Sequence, residues 1–147
     1  MVIVFPENTD SIIGEIRETI GRTVEFRYTV SSYECSGCSL DPVTGTSDNS
    51  FCPICSGDYY IHVISGFETT AVITWGPSDR PEWETGGQML GGDCVIQVNL
   101  DDDILNILES TENIIVDGKV MEIRKKQYRG VKSLNRILIS LIEKENE

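Results

Sequence analysis

The sequence predicts a mainly β protein: a small antiparallel β-barrel with an N-terminal helix and an inserted zinc-ribbon lobe. Three observations lead there. Runs rich in Val, Ile, Thr and Tyr recur from Arg22 to Ile142, many of them alternating apolar and polar and separated by turn residues. One stretch alone, near the N-terminus, repeats its apolar residues at helical spacing. Four of the five cysteines fall into two Cys-x-x-Cys pairs inside a polar segment. A chain of 147 residues with 39% hydrophobic content suits one modest core plus a small insert. The expected division is a β-barrel domain over residues 1–32 and 59–147, with the lobe over residues 33–58.

The helix is expected near residues 9–20. Asn8, Thr9, Asp10 and Ser11 supply N-cap candidates, and Ile12, Ile13, Ile16 and Ile20 form a narrow apolar stripe. Gly21 is a suitable stop. The stripe is expected to pack on the core or to dock on a partner. From Arg22 to Val30 the chain alternates, with Val24, Phe26, Tyr28 and Val30 on one face, as in a half-buried antiparallel strand.

The cysteine segment comes next. Cys35 and Cys38 are separated by thirteen residues from Cys52 and Cys55. A two-residue gap lets both sulfurs of a pair turn toward one point, and two pairs complete a tetrahedron. The link is mostly Asp, Thr, Gly, Ser, Asn and Pro, with no core of its own. This predicts one structural zinc ion per chain, held by Cys35, Cys38, Cys52 and Cys55. Iron satisfies the same four thiolates. Two disulfides need an oxidising compartment, and Met1–Pro6 lacks the basic region and apolar length of an export signal. A redox site would use a single Cys-x-x-Cys at a strand–helix junction. A closed four-thiolate site leaves no open coordination position, so it stabilises a fold and does not catalyse.

Beyond the lobe, residues 59–65 and 69–75 read as two strands broken at Gly66. Gly76 to Gly92 reads as a seventeen-residue irregular loop carrying Trp83, either an interface arm or a flap over its own core. Arg80, Trp83 and Met89 in this loop are candidate interface residues, together with Arg124 and Arg129 further on. Asp93 to Leu100 is a strand with Cys94, Ile96 and Val98 on one face, and Asp101-Asp102-Asp103 opens a short helix. Asp117-Gly118 between two β-rich runs predicts a hairpin. Gln127 to Gly130 reads as a bend, Arg136 to Ile142 as the last strand, and Glu143 to Glu147 as a frayed tail.

Several kinds of chemistry find no support. The Gly86–Gly92 run lacks the Lys-Ser/Thr and helix start of a phosphate loop. The aspartate triplet lacks calcium-loop spacing. The one histidine, His62, is a candidate base for Cys94, but no third orienting group is identifiable. The protein is therefore not expected to be an enzyme. Net charge is −12 and the lobe has no lysine or arginine beside Glu34, Asp41, Asp48 and Asp58, which argues against gripping nucleic acid. No apolar run approaches transmembrane length. The charge is uneven: residues 1–118 hold four basic and twenty acidic side chains, whereas residues 119–147 hold eight basic and four acidic. The basic end is either a solvated strand face or a surface for an acidic neighbour, including another copy of the chain.

Residues 70–143 carry a resemblance. It rests on Trp75-Gly76-Pro77-Ser78-Asp79-Arg80, Gly91-Gly92-Asp93-Cys94, Asn113–Arg124 with its Ile-Ile-Val-Asp-Gly-Lys hairpin, Tyr128-Arg129-Gly130-Val131 and Asn135-Arg136-Ile137. In these segments the chain resembles the head-closure (stopper) and related head–tail connector proteins of tailed bacteriophages. The four-cysteine insertion departs from the simplest members. The resemblance implies a non-enzymatic virion protein, assembled in the host cytoplasm. It implies a ring of copies below the portal, between the portal or adaptor and the tail-completion protein, closing or lining the channel through which DNA passes unbound. The alternative is a stand-alone zinc-ribbon adaptor that binds another protein or, less in keeping with its charge, nucleic acid.

Overall fold

The computed structural model describes residues 4, 6–76, 82–84, 87–89, 92–130 and 133–144. Helix α1 spans Thr9–Ile20, and strand β1 (Arg22–Glu34) follows it directly. Then come β2 (Tyr60–Trp75), β3 (Glu82–Glu84), β4 (Gly87–Met89), β5 (Cys94–Asn99), α2 (Asp102–Leu108), β6 (Thr111–Val116), β7 (Lys119–Gly130) and β8 (Leu134–Glu143). Six strands close an antiparallel barrel in the order β1-β2-β5-β8-β7-β6. The mainly β architecture, the barrel, the N-terminal helix and the inserted four-cysteine cluster all match the expected fold.

Alternation builds the core. Val24 and Phe26, Ile96 and Val98, Ile114 and Val116, and Ile137, Ile139 and Leu141 point inward at every second position and are fully buried, with Ala71, Cys94 and Met121. Helix α2 plugs one end with Ile104, Ile107 and Leu108. Its Asp101 is an N-cap whose side chain accepts the Ile104 N–H at 2.9 Å. The expected hairpin is present: Asp117 and Gly118 have φ of 50° and 80°, the left-handed pair that suits the twist of two antiparallel strands.

Two ribbons run past the barrel. Pairing of β1 with β6 ends at Tyr28↔Thr111, but β1 continues against β2 to Glu34↔Tyr60. Pairing of β6 with β7 ends at Asn113↔Glu122, but β7 continues against β8 to Gly130↔Leu134. The four-cysteine lobe hangs at the tip of the first ribbon.

Four expectations need correction. Gly66 does not break a strand: it pairs with Arg27, and β2 runs unbroken through it. The loop from 76 to 92 is not wholly irregular, because β3 and β4 pair as Trp83↔Gln88 and Glu82↔Met89. Gln127 to Gly130 is strand, not bend: Gly130 pairs with Leu134, and a Cβ on it would overlap the Ser133 carbonyl oxygen. Helix α1 buries no residue in the core, and Ile12, Ile16 and Ile20 are 43%, 50% and 61% exposed. Instead Asp10, Ile13, Gly14 and Arg17 turn toward β2 and the ends of β5 and β8.

Candidate metal centre

The strand ladder carries the lobe into place. After Glu34↔Tyr60, the Cys35 N–H donates to the Tyr59 carbonyl at 2.8 Å, so the first cysteine is fixed to the ribbon by backbone pairing. The polar link then folds through its own carboxylates. Asp48 accepts the Ser39 N–H at 3.0 Å and Asp41 accepts the Val43 N–H at 2.8 Å, local bonds that aspartate favours in turns. Gly57, with φ of 97° and the Ser50 backbone close against it, permits the bend after Cys55. The two knuckles close onto each other by Ser47 N–H to Gly57 O at 3.0 Å.

These bends bring four sulfurs to one point. The ligand atoms of Cys35, Cys38, Cys52 and Cys55 all lie within 4.8 Å of one another. Sγ of Cys35 and Cys52 are 3.7 Å apart, and those of Cys38 and Cys55 are 3.5 Å apart. A tetrahedral ion with metal–sulfur bonds of about 2.3 Å has sulfur–sulfur edges of roughly 3.8 Å. The spacing is thus that of a ligand shell. It is too long for a disulfide, whose bond is about 2.05 Å, and all five cysteines are free thiols. Cys35, Cys52 and Cys55 are buried, and with Cys38, Tyr59 and Ile61 they form a small core separate from that of the barrel.

The environment favours charge on one sulfur and opposes it on two, Cys35 and Cys38 being raised and Cys55 lowered. Gly37 N–H points at Cys35 Sγ at 3.4 Å. Burial pushes the Cys55 thiol up, but the N–H groups of Tyr59 and Gly57, with the thiols of Cys38 and Cys52, outweigh it and bring it down to about 6. At Cys38 the Ser47 hydroxyl pulls down, yet burial and the neighbouring cysteines raise it to about 12. Four thiolates this close repel one another, and a cation between them removes that repulsion. The donor set, its geometry and its burial fit a closed four-thiolate metal site.

The other expected residues do not join this site. Arg129 is exposed on β7 and pairs across to Arg136 on β8, on the opposite ribbon. Arg124 is exposed at the bulge between Ile123 and Lys125. Trp83 and Met89 lie on the backbone of the β3–β4 pair, and Arg80 lies outside the described residues. His62 and Cys94 are far apart: His62 pairs with Ser32 on the ribbon, whereas Cys94 pairs with Trp75, thirteen residues further along β2. At about 3.3 Å per residue that is roughly 40 Å of strand, and no base–nucleophile couple forms.

Two groups escaped the sequence reading. Arg17 of α1 comes beside Arg136, so burial, and then the Arg136 charge, lower its pKa. The excess of basic residues after position 118 was the available signal for Arg136; nothing in the sequence pointed to Arg17. No helix among the described residues is long and apolar enough to cross a membrane. No protein-family model matches this chain, and no curated protein matches it.

Proposed function

We propose that the chain is a structural subunit of a tailed-phage neck. Copies form a ring that joins the portal or its adaptor to the tail-completion protein and lines or closes the DNA channel. The observation that carries this reading is where the resembling segments fall. Asn113–Val116, the Asp117-Gly118 turn, Lys119–Arg124 and Asn135–Ile137 lie on three consecutive strands of one closed barrel, β6, β7 and β8. Two further features support it. Helix α1 leaves an isoleucine line exposed, and an apolar line at one helical face asks for a neighbour. The chain carries a net charge of −12, and an acidic wall gives passing phosphate nothing to hold. The role is structural, not catalytic, and its place is the virion.

The metal in this reading is zinc, one per chain, because four cysteine thiolates in a closed tetrahedron suit a redox-inert ion that only holds a fold. Elemental analysis of purified protein should return close to one zinc per chain; iron in its place, or no metal, overturns this part. The ring is tested by mass photometry and negative-stain imaging, alone and with portal and adaptor. Rings with a central channel are expected. A strictly monomeric protein that shifts DNA in a gel overturns the reading.

One observation favours a zinc-ribbon adaptor instead. Phe51, Val43 and Ile54 at the lobe surface are 93%, 90% and 52% exposed, an apolar tip on an outstretched ribbon. An adaptor would bind one partner through this tip and remain monomeric.

A further inference from the structure

Three arginines converge on one wall of the barrel. Arg129 and Arg136 lie directly opposite each other on β7 and β8, a like-charge pair that a sheet disfavours when nothing neutralises it. Arg17 approaches Arg136 from α1. Among the described residues none of the three forms an ion pair; Arg129 donates only to the Gln127 side chain. The Nε atoms of Arg17 and Arg136 are buried and have no acceptor. Buried donors without acceptors are rare and costly, but these two Nε atoms are enclosed within the chain, so the group a neighbour can meet is the exposed Arg129 beside Arg136. The adjoining groove of about 480 Å³ holds three carboxylates: Asp10 takes the Asn135 amide, Asp101 caps α2, and Glu18 lines the groove with Arg17 without forming an ion pair among the described residues.

A matching surface sits across the barrel. The lobe from Cys35 to Asp58 contains Asp41, Asp48 and Asp58 and no lysine or arginine, and Glu34 stands exposed beside it. Four thiolates around a divalent ion leave further negative charge there. In the closed order β1-β2-β5-β8-β7-β6, strands β8 and β7 stand opposite β1 and β2. The acidic lobe on the β1–β2 ribbon and the arginines on β7–β8 thus lie at the same end of the barrel, half-way around it from each other. Among the described residues no ion pair joins the two patches within one chain. Patches of opposite charge at separate places on one surface can pair between copies, head to tail, and such contacts close into rings where the rotation between copies closes.

We infer that the four-cysteine lobe of one copy docks on the Arg17–Arg129–Arg136 wall of the next, its carboxylates neutralising the like charges gathered there. This rests on the ring reading and names its contact. The test is a charge swap in the full-length, metal-loaded chain, read by sedimentation velocity and negative-stain imaging. Arg129 and Asp58 are both exposed, so neither substitution disturbs a core. Arg129→Glu alone and Asp58→Arg alone should each weaken assembly by roughly tenfold or more, and the double variant should recover it. Raising salt from about 0.1 M to about 0.5 M should weaken the wild-type assembly. Rings that ignore both swaps overturn this inference and leave the ring reading standing. Swap-sensitive dimers or open filaments keep the contact and overturn the ring. Failure to assemble under any condition overturns both.

Discussion

Cys94 has no exposed surface and pairs with Trp75 and Leu141 in the barrel wall, whereas the four lobe cysteines turn their sulfurs toward one another. The same side chain is a small hydrophobe in one place and a ligand in the other. Burial pushes the Cys94 thiol up to about 12, with the Asp117 and Asp93 charges adding to it. In the unfolded chain that thiol titrates near the ordinary value of about 8.5. Its folded pKa is the higher one, so its contribution to stability is whole below about pH 8.5 and is lost as pH rises toward 12. Through that window the native state holds a proton that the unfolded chain releases, at up to about 1.4 kcal/mol per pH unit. The urea midpoint should therefore fall more steeply between about pH 8 and about pH 10 in the wild type than in Cys94→Ala, which keeps every other titrating group. Parallel falls in the two proteins would show that Cys94 ionises freely in the folded state.

Among the elements, the β1–β2 ribbon and its lobe behave as a unit distinct from the barrel, since their core is the cysteines with Tyr59 and Ile61. For such a unit, metal binding is folding. Cys52→Ser, or a strong chelator, should empty the four-thiolate site of any metal it holds and speed amide exchange in residues 35–58 by at least about tenfold, while β5 to β8 keep their protection. Hydrogen exchange read by mass spectrometry checks this, and unchanged protection of the lobe would sink it. The lobe was legible in the sequence because ligand spacing is a local demand, and the Asp117-Gly118 hairpin because its two φ angles belong to those residues alone. The limits of β2 and β7 were not legible, because they are set by distant partners: Gly66 stays in register through Arg27, and Tyr128 through Ile137. Periodicity gave the isoleucine line of α1 but not its direction. The helix instead turns Arg17 and Asp10 toward the barrel, where Asp10 accepts from Asn135. The arginine wall joins a local hairpin pair, Arg129 with Arg136, to Arg17 more than a hundred residues earlier, and no local pattern encodes that second meeting.

At the scale of the whole molecule, the two cores raise the question of whether the barrel needs its lobe. Every buried apolar residue of the main core comes from barrel strands or α2, and none from the segment between Glu34 and Tyr60. Those two residues are opposite partners, so their Cα atoms lie about 5 Å apart, a gap that a two-residue turn spans. Replacing residues 35–59 with Asn-Gly should thus leave a folded barrel. Shortening the connection lowers its closure entropy by about 2 kcal/mol, which offsets what the ribbon loses at its tip. The expected melting temperature is within about 5 °C of the parent, by circular dichroism, with no bound metal. A fall of more than about 15 °C would make the lobe part of the barrel's fold. If the lobe is instead the contact that neighbouring copies read, the trimmed barrel should be as stable as its parent and yet sediment as a monomer. Separating folding from assembly in this way is what a lobe built for a neighbour requires, because its acidic face then matters only when a second copy presents the arginine wall.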